Sequence, residues 1–220
     1  MRKFRNRTEA GLLLARKIGG LRGRDDIVVL GLPRGGVPVA YEVAEALDAP
    51  LDVFVVRKLG VPGHEELAMG AIASGGASVL SERTIKAFHV EQLALERVVA
   101  AERAELERRE KQYRGDRPPV DVENKTVIVV DDGLATGASV LAAIHALKER
   151  NPKRIIVAVP VCSALTAAEL DRRDGVWCVC VMAPDPFYAV GLWYEDFSQT
   201  TDQEVKSLLA RAEERAGAHA

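Results

Sequence analysis

The chain has 220 residues, enough for one α/β domain with a small appendage and a sizeable core. Hydrophobic residues make up 48% and charged residues 28%, and the formal net charge of -2 gives no reason to expect DNA or RNA binding, which relies on basic surface. No apolar run approaches the roughly 18 residues of a membrane span.

The basic residues 1–7 are followed by an apolar stretch of only 12–15, too short for a secretory signal, so no leader is expected. Residues 8–18 have the spacing of an amphipathic helix ended by Gly19-Gly20. A short buried strand is predicted over 27–30, then the turn Gly31-Leu32-Pro33-Arg34-Gly35-Gly36 and a helix over 39–47. A second strand, 51–56, ends in Arg57-Lys58, and the order strand, helix, strand implies a right-handed crossover in a parallel sheet. Gly60, Pro62 and Gly63 predict a loop over 59–66, and 59–76 is the expected flexible segment. Residues 67–73 and 77–80 resemble a hairpin across Ser74-Gly75-Gly76.

One long helix is expected over 81–114, capped by Ser81. Its part 102–114 is dense in Glu and Arg and reads as a solvated face laced with ion pairs. After a break at 115–119 come a β-branched strand to Val130, a small-residue loop, and an apolar helix over 140–147. A strand over 154–159, a helix over 164–171, a strand over 176–181 and a terminal helix over 202–216, frayed beyond Arg211, complete the chain. The expected fold is a single α/β domain over 1–220, an open, mostly parallel twisted sheet flanked by helices, with its core at about 20–165. Cys162, Cys178 and Cys180 fit buried free thiols in a reducing cytoplasm better than a disulfide framework or a zinc site.

The most informative stretch is Val127-Ile-Val-Val-Asp131-Asp132-Gly133-Leu134-Ala135-Thr136-Gly137-Ala138-Ser139. Small side chains let the backbone N–H groups of 134–139 converge on an anion, the hydroxyls of Thr136 and Ser139 add donors, and the next helix contributes the positive end of its dipole. Two acids beside a phosphate cradle would repel the phosphate. They suit a ligand that also carries neutral hydroxyls or a divalent cation, as a sugar phosphate does. A Walker loop is excluded because no lysine lies between Gly133 and Ser139, and the Gly-x-Gly-x-x-Gly dinucleotide fingerprint is absent. An ordinary βα turn would account for one acid as a cap but not for two followed by Thr-Gly-Ala-Ser.

This segment resembles the signature of the type I phosphoribosyltransferases. The resemblance implies a reaction of 5-phosphoribosyl pyrophosphate (PRPP) with a nitrogenous acceptor, with Mg2+ held mainly by PRPP and by Asp131 or Asp132. It assigns Asp131 and Asp132 to the ribose hydroxyls, with Asp132 also a candidate for contacting base or metal, and Gly133, Leu134, Ala135, Thr136, Gly137, Ala138 and Ser139 to the PRPP cradle. Arg34, Gly35 and Gly36 stand where the family carries its pyrophosphate loop. Arg57 and Lys58 follow the strand after which a basic residue reaches the pyrophosphate. His64, in the expected mobile loop, is a candidate for assisting the leaving group or nucleophile.

Residues 183–197 resemble, more loosely, the hood-like C-terminal part of purine phosphoribosyltransferases, here expected over 176–200. Phe187 or Tyr188 stands where an aromatic stacks on the base, and Trp193 and Phe197 read as core. The lysine that reads the base carbonyl in those enzymes is missing, since no lysine lies between Lys153 and Lys206. A purine-like base is therefore only the first guess. A homodimer is expected by analogy. The alternatives left open are a PRPP- or nucleotide-binding regulator without a reaction, and another sugar-phosphate enzyme on the same fold.

Overall fold

The structure, a computed structural model, describes residues 2–218; His219, to which the sequence gives no role, lies outside them. The main sheet is built from five parallel strands: β1 (Ile27–Gly31), β2 (Leu51–Val53), β6 (Thr126–Val130), β7 (Arg154–Val161) and β8 (Val176–Met182). Their order across the sheet is β2-β1-β6-β7-β8. The three central strands are buried almost throughout, as near-continuous Val/Ile runs covered on both faces must be. Three antiparallel strands, β3 (Val56–Val61), β4 (His64–Ala73) and β5 (Ser78–Leu80), form a separate sheet.

Helices α1 (Arg7–Lys17) and α2 (Gly36–Leu47) pack on each other over one face of the main sheet, around Leu14, Val39, Val43 and Leu47. Helix α5 (Ala138–Lys148) buries Val140, Ile144 and Leu147 against the other. Helix α6 (Ala164–Asp171) joins β7 to β8, and α7 (Asp202–Ala218) closes the chain. Helix α1 starts at its predicted place because the Asn6 side chain accepts the Glu9 N–H at 3.0 Å, satisfying one open donor of the first turn.

Three expectations are corrected. The strand predicted over 51–56 leaves the main sheet at Val53, and Arg57-Lys58 belong to β3 of the second sheet. Residues 59–66 are not a loop but the turn end of a hairpin. Gly60 sits where the β3–β4 register slips, and Gly63 makes the turn with φ 79°. The helix expected over 81–114 is broken into α3 (Glu82–Ala87) and α4 (Gln92–Arg114), with His89 in the left-handed region at φ 49° between them.

The charged part of α4 does carry the expected ion pairs, Glu105 with Arg108 and Arg109. It is not merely a solvated face, however, because Leu106, Tyr113 and Arg114 are buried in it. Arg114 reaches the edge strand β2: its Nε lies 3.1 Å from both oxygens of Asp52, and its NH2 donates to the Val53 carbonyl at 3.0 Å. All three cysteines are free thiols, but only Cys162 is buried; Cys178 and Cys180, on the edge strand β8, are half-buried.

Candidate active site

The strand order reverses between β1 and β6, since the chain leaves β1 towards β2 on one side and fills β6, β7 and β8 on the other. Open α/β sheets bind ligands beyond the strand carboxyl ends at such a switch point. The two loops the sequence singled out emerge there side by side. Gly36 is packed so closely on β6 that a Cβ would lie 2.6 Å from the Val130 carbonyl oxygen and 2.9 Å from the Asp131 Cα. A Cβ on Gly35 would collide with the Asp132 carboxylate. The glycines therefore let two loops share one crevice. Gly36→Ala is expected to cost about 1–3 kcal/mol, the usual penalty of overpacking, since backbone rather than a flexible side chain would have to yield. A thermal midpoint equal to that of the parent protein would refute this close fit.

A cleft of about 160 Å³ is lined by Lys58, Asp131, Gly133 to Val140 and Val190. Gly137 caps α5 in the left-handed conformation (φ 70°) and has no side chain to offer the first turn, which leaves the amides of that turn open towards the cleft. Thr136 is exposed and Ser139 half-exposed, so both hydroxyls are available. One expected donor is lost: the Leu134 N–H donates to the Val161 carbonyl at 2.8 Å, and the Leu134 carbonyl accepts from Ser163 N–H at 3.0 Å. Leu134 instead fastens the loop to β7, because a buried backbone amide next to a strand is paired by that strand. Thr166, which sequence reasoning missed, braces the loop from α6 by donating to the Ala135 carbonyl at 2.6 Å. No residue spacing in the sequence announces it.

The two acids are not equivalent. Asp131 lines the cleft, and its Oδ1 accepts the Asp132 N–H at 2.9 Å. Burial, and next the neighbouring Asp132 charge, push its carboxyl well above the ordinary range. Asp132 is also raised by burial, but the Arg7 guanidinium opposes the shift. Arg7 Nε and NH2 lie 3.0 and 2.9 Å from Asp132 Oδ2, with the two side chains only 12% and 16% exposed. Tyr194 donates its hydroxyl to the Asp132 carbonyl at 2.6 Å. The sequence offers neither as a site residue: the basic N-terminus with Arg7 reads only as a possible targeting segment, and Tyr194 only as part of an aromatic core cluster, where it is indeed buried.

Lys58 faces the cleft, whereas Arg57, its neighbour on β3, points to α4 and pairs with Glu102 at 2.6 Å. Adjacent strand residues face opposite ways, so both cannot serve one cleft from this register. Arg34 is half-buried in the loop after β1, close enough to Tyr113 and Asp202 for its charge to favour the ionised form of both. His64 stands at the hairpin tip, its ring edge-on to Phe88 at 5.5 Å, and does not line the cleft.

Phe187 is half-buried among Phe4, Val161 and Tyr194, while Tyr188 is 78% exposed. Trp193 is half-buried in the same cluster. Phe197, expected in the core, is 38% exposed and carries the Arg7 guanidinium 4.1 Å above its ring, a stacked position that needs an open face.

The cleft and its switch point define the open, mostly parallel α/β fold of the type I phosphoribosyltransferases. Residues 9–188 match the family model of the phosphoribosyl transferase domain, and the chain belongs to that family. It is 42% identical over 213 residues, 96% of its length, to the Mycobacterium tuberculosis H37Rv protein named "Putative phosphoribosyl transferase Rv0571c". The match covers 47% of that relative, so the chain spans about half the length of the curated protein it resembles. The crystal structure of TT1426 from Thermus thermophilus superposes with a TM-score of 0.81 at 44% identity, covering 96% of this chain and 99% of that one. A uracil phosphoribosyltransferase from Variovorax paradoxus is 60% identical, but over only 37 residues, 17% of this chain and 18% of that enzyme.

Proposed function

We propose that this chain moves a 5-phosphoribosyl group between PRPP and a nitrogenous base or similar acceptor. The observation that carries the reading is the pairing of a half-buried, cleft-facing carboxylate, Asp131, with an uncapped helix N-terminus and Lys58 in one cleft. Neither half fits a simpler ligand: the acid disfavours a bare phosphate, and the open amides and the lysine disfavour a neutral sugar.

The 5′-phosphate is received by the amides of 135–139 and the hydroxyls of Thr136 and Ser139. Asp131 accepts the ribose hydroxyls and balances part of the positive charge that develops on the ring as pyrophosphate leaves. No covalent nucleophile is needed: fixing the sugar, stabilising the departing anion and excluding water account for the chemistry. Lys58 and Arg34 supply the cationic side chains for the pyrophosphate, with the Gly35-Gly36 backbone beside them.

Among the described residues there is no group of three or more His, Cys, Asp or Glu that could hold a metal. The donor set, one cleft-facing carboxylate with a second behind it, suits a hard cation that keeps its waters and arrives on substrate oxygens. When bound, Mg2+ would neutralise pyrophosphate charge, and Asp131, with Asp132 behind it, would be the carboxylates to hold it.

Incubation with PRPP, Mg2+ and a panel of bases, scored by pyrophosphate release, tests the proposal. Release that depends on one acceptor is the expected result. Release without any acceptor would mean a hydrolase, and tight PRPP binding without release a sensor; either would overturn the transfer reading.

A further inference from the structure

The cleft has a neighbour. A second cavity of about 310 Å³ lies between the antiparallel sheet and helix α5, and it shares Lys58 and Ala138 with the cleft. Its α5 wall is Ala138, Leu141, Ala142 and His145, a stripe that the helical period puts on one face. The opposite wall is Ala68, Gly70 and Ala71 of β4, beside Val79 of β5. Alanine on both walls and glycine on one leave a gap that longer side chains would have filled.

The middle of this cavity is apolar and its two ends are basic. Lys58 stands at the Ala138 end, where the cavity meets the cleft. His145 lies two helical turns further along α5, about 10 Å away at the usual helical rise. Arg173 joins it there, because the loop after α6 is held to the end of α5 by Lys148, which donates to the Asp174 carbonyl at 2.8 Å. Among the described residues none of these three side chains has a hydrogen-bond or ion-pair partner. Other basic side chains are spent on carboxylates, Arg57 on Glu102 and Arg114 on Asp52. The Arg173 Nε is in addition buried without an acceptor, which costs free energy until something polar reaches it.

We infer that this cavity is a second binding site, for a small amphipathic anion whose apolar body lies between α5 and β4 and whose acidic group meets Arg173 and His145. No carboxylate lines it, whereas Asp131 lines the cleft, so it has no acid to accept sugar hydroxyls. Its apolar walls give a bare phosphate nothing in exchange for its water, and its basic ends repel a cation. Its volume is that of a small-molecule site. An anion seated there also draws on Lys58, the ammonium that faces the phosphate cleft, so its occupancy weakens PRPP binding. The site itself is independent of the phosphoribosyl transfer reading; only this coupling rests on it.

The test is a fluorescence titration with anilinonaphthalene sulfonate, an aromatic sulfonate that reports apolar surroundings. The parent protein is compared with Arg173→Gln, which keeps a polar side chain but no charge, and with Ala142→Phe, which fills the cavity from α5. Saturable binding by the parent is expected, with the Kd raised about tenfold or more in Arg173→Gln, the scale of one charge-assisted hydrogen bond. Ala142→Phe is expected to weaken binding at least as much. An unchanged Kd in either variant would place the probe elsewhere and overturn the proposal, as would no binding by the parent. Should Ala142→Phe not fold, Val79→Phe blocks the cavity from the sheet side and is held to the same result. A dimer in solution that Ala142→Phe dissociates would assign the cavity to a second copy of the chain, which also overturns it.

Calorimetry with PRPP reads the coupling. Saturating probe is expected to raise the PRPP Kd of the parent severalfold and to leave that of Ala142→Phe unchanged. An equal PRPP Kd with and without the probe would refute the link through Lys58. Failure of the parent to bind PRPP even without the probe would count against the transfer reading, and the probe titration then decides the cavity by itself.

Discussion

Replacing Asp131 with asparagine is expected to abolish most phosphoribosyl transfer while making the folded protein more stable at neutral pH. Turnover should fall on the order of 10²–10³-fold, the scale for losing one electrostatic stabiliser of a developing charge. Stability moves the other way because the folded protein holds this carboxyl in a place that disfavours its charge: burial dominates, and the Asp132 charge adds to it. A carboxyl raised in the folded state binds its proton more tightly there than in the unfolded chain. Its contribution is complete below the unfolded value of about 3.9 and is lost as pH rises through the higher folded value.

Asparagine cannot ionise, and its Oδ1 can still accept the Asp132 N–H. The difference in Tm between variant and parent should therefore be small near pH 4 and grow towards pH 8, reaching a few degrees if about 1 kcal/mol is recovered in a chain of this size. A Tm difference that shrinks as pH rises would mean the carboxyl is stabilised as an anion, and the reading of an acid held in waiting for a polar ligand would fall. The stability gain and the activity loss are two faces of one arrangement, a site kept electrostatically unfavourable until its ligand arrives.

The second large effect lies away from the cleft. Arg114→Ala is expected to cost about 3–5 kcal/mol, the usual loss on stranding one partner of a buried ion pair. The Arg114 and Asp52 side chains are each 8% exposed. Asp52 also accepts the Val53 N–H at 2.7 Å and the Val120 N–H at 3.1 Å, so both of its oxygens are engaged. Without the guanidinium its charge has no counterpart and little access to water. A fall in Tm of about 6–20 °C follows from the size scaling.

The double variant Asp52→Asn/Arg114→Met should recover part of the loss, because asparagine still accepts a backbone N–H and no charge is stranded. Thermal melts of the parent and the two variants check this. A loss below about 1 kcal/mol for Arg114→Ala would show that the pair behaves as a surface ion pair. The consequence for function is indirect: the pair fastens α4 to β2, the edge strand from which the chain passes to β3 and Lys58.

How much of this could be read from residues alone varies with the range of the interaction. The parallel core was legible because buried strands such as Thr126–Val130 are written as unbroken β-branched runs, and α1 because its apolar spacing and the glycines after it mark a helix locally. The tight loop 133–139 was legible because a Cβ on Gly133 would meet Val190 and Gly137 takes the left-handed conformation at φ 70°. The hairpin Val56–Ala73 was not: its glycines and proline signal a break, and a bulged β-turn and a loop use the same residues. The break at His89 left no mark either, since no proline or glycine accompanies it.

What the sequence by itself determined is therefore the sheet class and the small-residue loop that follows Asp131 and Asp132, both of them consequences of contacts within a few residues, whereas the second sheet that brings Lys58 to the cleft was not among them. Only the tertiary structure decided which donors are free and which acid faces the cleft. Leu134 is spent on β7, Arg57 on Glu102, and Asp132 on Arg7, a partner 125 residues away. Such assignments come from competition among groups brought together by the folded chain. A buried charge or amide takes whichever partner the packing places within reach, and sequence spacing does not encode that choice.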